Sequence, residues 1–111
     1  MTVTVKVLIP AKIAENSQTT QYTASSVTAI IDKFTATNYS VTAATISVNL
    51  VTSAASAGDA NLITKTKTLQ PSESYTFPEL VGHALMPSGF ISTLAGTAGS
   101  INIRSSGREV T

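Results

Sequence analysis

The chain has 111 residues, no cysteine and a formal net charge of +1. That length holds one domain with one core and leaves no room for a deep pocket beside it. The missing cysteines exclude a disulfide framework, thiol catalysis and cysteine-based metal sites. Charged residues are 12% of the chain, about half of ordinary usage. The basic ones (Lys6, Lys12, Lys33, Lys65, Lys67, Arg104, Arg108) are scattered, which argues against nucleic acid as a partner.

Threonine and serine stand where charge is usual, and the dominant period is two, the period of strands. Val3, Val5, Val7 and Ile9 alternate with Thr2, Thr4, Lys6 and Leu8. This alternation is not a signal peptide, and no stretch is long enough to cross a membrane. Pro10 and the polar stretch Ala14–Thr20 follow as a connector, so residues 1–20 read either as a strand of the domain or as an N-terminal arm that pairs with a neighbour. Ala29–Asn38 reads as a long strand. Asp32 breaks its pattern, and a β-bulge that turns the carboxylate to solvent is favoured over an inward ligand or interface charge. Thr45–Val51 is the cleanest strand, with Ile46, Val48 and Leu50 on one face and Thr45, Ser47 and Asn49 on the other.

Thr52–Ala60 is a small-residue loop, read as a mobile or contact segment. Leu62–Leu69, with Lys65 and Lys67, reads as an edge strand guarded by charge. Gln70-Pro71-Ser72-Glu73 and Met86-Pro87-Ser88-Gly89 are turns, the second read as type I. A short strand at Tyr75–Phe77 precedes Pro78–Leu85, where proline followed by Glu79 suggests one short helical turn. Phe90–Ala95, Ser100–Ser105 and Arg108–Thr111 complete the strands, with Ala95–Ser100 and Ser105–Arg108 read as hairpin-like connections. About eight strands at this spacing predict a single all-β domain over residues 1–111, an antiparallel β-sandwich of jelly-roll type.

Candidate chemistry is sparse. His83 is the only histidine, set in an apolar turn without a nucleophile or orienting group in its motif, and it falls short of a metal ligand set. Asn38-Tyr39-Ser40 matches the glycosylation pattern, but chance explains it better than use. No catalytic, metal or cofactor site is expected, and the chain does not read as an enzyme. The contact candidates are Val3, Val5, Val7 and Ile9 on the N-terminal strand, Tyr39 in its turn and Asp59 in the small-residue loop.

Several runs resemble virion proteins of tailed phages: Tyr22–Ala24, Ile30–Asn38, Thr45–Val51, Ser74–Leu85, Gly89–Ser92 and Ser106–Thr111. They are similar to the small capsid decoration, or staple, proteins of phage epsilon-fifteen and its relatives. The resemblance covers most of the chain from Tyr22 onward, and its motifs are structural. It implies a multi-copy protein on the outer capsid surface, binding the major capsid protein and holding neighbouring capsomers together, as a homodimer or higher oligomer. A carbohydrate-binding or adhesive module, and a tail or head–tail connector component, are the competing expectations.

Overall fold

A computed structural model describes residues 1–111. Nine strands form: β1 (Val3–Ile13), β2 (Thr19–Thr23), β3 (Thr28–Asn38), β4 (Ala44–Val51), β5 (Leu62–Leu69), β6 (Ser74–Tyr75), β7 (Ala84–Leu85), β8 (Phe90–Ala95) and β9 (Ile101–Val110). One sheet, here sheet A, has the order β1-β9-β3-β6, with β7 also on β3. The other, sheet B, has the order β2-β8-β4-β5. All pairings are antiparallel. Setting aside β7, the pairs β1–β9, β2–β8, β3–β6 and β4–β5 nest inside one another. That is a long hairpin wrapped into two four-stranded sheets, a jelly roll.

The core lies between the sheets. Phe34, Ile31, Ile101 and Ile103 of sheet A face Ile46, Val48, Leu69 and Ile91 of sheet B, all within 0% exposure. Phe77 enters from the β6–β7 connection and packs edge-to-face on Phe34 at 5.0 Å and on Tyr75 at 4.7 Å, an arrangement that aromatic quadrupoles favour. The molecule is elongated, 46 × 26 × 20 Å.

The bulge at Asp32 is present. The β3–β9 register slips between Ile31 and Lys33, so Ile31 and Phe34 both point inward while Asp32 and Lys33 are exposed. Lys65 and Lys67 lie on an edge strand, as their charge suggests, and β5 carries its own bulge. Two β5 residues oppose Ser47, whose Oγ accepts from the Thr66 N–H at 2.8 Å.

Four expectations are corrected. Pro78–Leu85 is not a helical turn. Leu80 N–H bonds to Phe77 O and His83 N–H to Leu80 O as two separate turns, because Gly82 at φ +88 reverses the chain and its N–H goes to Ile31 O. The turn at Met86–Gly89 has Ser88 at φ +70, which makes it type II instead of type I. Ser105–Arg108 is no connection but the middle of β9, and Ala95–Ser100 crosses from sheet B to sheet A instead of closing a hairpin. Apart from these four, the loop after β4, read as a mobile or contact segment, is tied to sheet B by side chains. Asn49 Nδ2 donates to Gly58 O and Asn61 Oδ1, and Asn61 Nδ2 to Ser56 O, which holds the turn Asp59–Asn61 over the outer face of sheet B and buries Asn49.

Candidate functional site

A jelly roll has four sheet edges, and a bare edge invites another strand. Three of the four are guarded here. β6 has two residues, β2 slips register between Thr20 and Tyr22, and β5 is bulged and lysine-bearing. The fourth is β1. Thr2 and Thr111 exchange two backbone hydrogen bonds, 3.1 and 3.0 Å, and register then runs without a slip from Val3↔Val110 to Val7↔Ser106. Because bonded and non-bonded pairs alternate in an antiparallel ladder, Thr2, Thr4 and Lys6 direct their backbone groups to β9. Val3, Val5 and Val7 direct theirs to the open side. Beyond Val7 the edge closes: the register slips between Val7 and Ile9 and again before Lys12, and Pro10 has no N–H to offer.

The same three valines share the outer face of sheet A. Rows of register partners define that face: Val3 with Val110 and Thr28, then Val5 with Arg108, Ile30 and Ala84. Val5 is 83% exposed and Val3 50%. The charge among them is neutralised, since Arg108 grips Asp32 through Nε and Nη2 at 3.0–3.2 Å. The inner side of the same strand end is polar. Lys6 Nζ sits 3.2 Å from a Glu109 oxygen, and the other Glu109 oxygen accepts the Tyr22 hydroxyl. The Tyr22 hydroxyl and Lys6 together hold the Glu109 carboxyl below the ordinary glutamate range, and burial with the facing carboxylate raises Tyr22.

The other expected contacts fall elsewhere. Ile9 is 1% exposed, a correction to its place beside Val7. The slip after Val7 turns both Leu8 and Ile9 into the core. Tyr39 is half exposed, its N–H on Ser100 O. It follows the far end of β3 from Thr28, roughly 35 Å from the valine rows at strand rise. Asp59 lies on the sheet B side, at a cleft with Gln18, Asn49 and Lys65. Val3, Val5 and Val7 therefore form one surface, which Tyr39 and Asp59 do not join. Alternation alone could not show that Ile30, Ala84 and Val110 extend it, because they meet only through sheet pairing.

His83 is exposed and engaged through its backbone alone. No group of three or more histidine, aspartate or glutamate side chains converges as a metal site would require, and no helix is long and apolar enough to cross a membrane. Asn38 is fully buried. Its amide donates to Thr42 O and Leu69 O, and its Oδ1 accepts from Ser40 N–H and Oγ, so it is not free to carry a glycan. No family model, curated protein or solved structure matches the chain.

Proposed function

We propose that this chain is a decoration protein of a tailed-phage capsid, present in many copies on the outer surface, where it binds the major capsid protein and ties neighbouring capsomers. The observation that carries the reading is the unguarded strand edge at Val3–Val7 with its apolar outer face. A chain that works alone keeps such an edge covered. A chain that works in an array needs one.

The edge is self-complementary. Turned about a two-fold axis at Val5, β1 of a second copy pairs Val5 with Val5 and Val3 with Val7, each through the backbone groups left free by β9. The valines of both copies then lie on one face, and Thr4 meets Lys6 without a like-charge pair. Such a dimer presents a doubled apolar face to the capsid, and two-site attachment adds avidity without strong single contacts. Binding to the assembled lattice in preference to free capsomers would stabilise the lattice by mass action.

The test is saturable binding of the purified chain to undecorated capsids in a fixed ratio to the capsid protein, with decorated capsids surviving more heat. Val5→Lys, at a site 83% exposed, leaves folding within about 0.5 kcal/mol, abolishes the dimer in sedimentation and weakens capsid binding. Folded chain that ignores bare capsids overturns the proposal.

A further inference from the structure

Farther along the outer face of sheet A, the valines give way to a polar hollow of about 430 Å³. Its walls are Lys33, Thr35 and Thr37 from β3 and Asn102, Arg104 and Ser106 from β9. The only apolar residue there is Ala11. Cross-strand register sets the rows: Thr37 beside Asn102, Thr35 beside Arg104, Lys33 beside Ser106. Lys33 and Arg104 are therefore diagonal neighbours on one face, both exposed, within the reach of two long side chains on one small ligand.

Their charge is uncompensated. The ion pairs of the molecule are Lys6–Glu109, Lys12–Glu15 and Arg108–Asp32, and none includes Lys33 or Arg104. Asp32 is next to Lys33 in sequence, but both of its oxygens are on Arg108. The bulge matters here. It puts Asp32 and Lys33 on the same side, gives the carboxylate to Arg108 and leaves Lys33 lining the hollow. In a chain so poor in charge, two adjacent free cations amid hydroxyls and an amide form a site with a defined preference.

We propose that this hollow binds an acidic saccharide, one whose carboxylate or sulfate lies between Lys33 and Arg104 while its hydroxyls meet Thr35, Thr37, Asn102 and Ser106. Arg104 offers a planar fork to a carboxylate or sulfate, and Lys33 a point charge. The volume falls within the range of small-ligand sites, roughly 300–1,000 Å³. A saccharide is favoured over an acidic peptide because the lining gives apolar side chains nothing to cover, whereas hydroxyls and amides satisfy sugar hydroxyls. No aromatic ring lines the hollow to stack on a sugar, so attraction rests on charge and weakens with salt. The site is independent of the valine edge and of the capsid reading.

The test is an NMR titration of the isolated, full-length chain at low salt. The probes are a uronate-containing disaccharide, a sulfated disaccharide, maltose as the neutral control, and hexaglutamate. Saturable shifts at the amides of Thr35, Asn102, Arg104 and Ser106 with an acidic disaccharide, and not with maltose, are expected at millimolar concentration. Arg104→Gln and Lys33→Gln, both at exposed positions, should each weaken binding roughly tenfold with the remaining spectrum unchanged. Sulfate-only or uronate-only binding names the acid. Equal binding of maltose, tighter binding of hexaglutamate, or no shifts with either acidic sugar overturns the proposal.

Discussion

Gly107→Ala should be one of the most damaging single-methyl additions in the molecule. Gly107 pairs with Lys6 on one side and Ile31 on the other, opposite the bulge at Asp32. A Cβ built there would lie 2.1 Å from the carbonyl oxygen of Ile30, 3.1 Å from its carbon and 2.8 Å from Leu8 Cδ1. Leu8 can rotate away. The Ile30 carbonyl belongs to a strand paired on both sides, by β9 and β7, and must retreat by roughly 1 Å or more to reach ordinary C···O separation. Overpacking of this kind costs about 1–3 kcal/mol, and distortion of a ladder hydrogen bond adds about 1 kcal/mol. The expected loss is about 2–4 kcal/mol, a drop in Tm of roughly 10–20 °C for a domain of this size. Urea titration should show a lower midpoint with an unchanged m-value. Gly58→Ala is the control: its backbone is extended, a Cβ there meets nothing within 4 Å, and stability should rise by up to about 1 kcal/mol. A Gly107→Ala variant within about 0.5 kcal/mol of the parent would refute the close approach of β9 to the bulge.

Asn38→Ala takes a donor from the buried Leu69 carbonyl and the acceptor from the Ser40 N–H and should cost about 1–3 kcal/mol in urea titration, while mass spectrometry of chain made in a glycosylating host should find Asn38 bare. Glu15, Glu79 and Glu109 all titrate below the ordinary glutamate value. Gln21 and Lys12 lower Glu15. Burial pushes Glu79 up, but hydrogen bonds from Thr64 and Tyr75 outweigh it. Tyr22 lowers Glu109. Carboxylates depressed in the folded state stabilise it above the unfolded value of about 4.3 and lose that contribution as pH falls through the folded value. Tm should therefore be flat near neutrality and fall below about pH 4.5, and Glu109→Gln should make the fall shallower.

Much of the fold is legible in the sequence because period two is a local signal. Thr45–Val51 alternates as read, and Asp32 could be assigned to a bulge because an inward carboxylate needs a partner that the pattern does not supply. What escapes notice depends on parity or on contact between distant strands. Ile9 continues the valine period on paper, yet the register slip between Val7 and Ile9 turns it inward. Ser105-Ser106-Gly107 has turn composition, but glycine serves two needs, positive φ and close approach, and sequence does not distinguish them. Alternation places Asn49 on the polar face of β4 but not its burial, because Gln18, Gly58 and Asn61 arrive from elsewhere to cover it. The hollow between Lys33 and Arg104 had no signal at all, since the two residues are neighbours only through the β3–β9 register.

The place of β9 in sheet A has a consequence for how the chain is made. It is the last strand in the sequence, yet it lies between β1 and β3. During synthesis, β1 and β3 emerge long before the strand that joins them, so the β1–β9–β3 part of sheet A cannot form until Val110 is available. Pairing across almost the whole sequence is slow, and unpaired strands are the exposed hazard of slow folding. Until β9 arrives, Val3, Val5, Val7 and Ile9 have no native strand partner. A prematurely terminated chain lacking β9 should therefore accumulate as aggregate, not as a smaller folded domain.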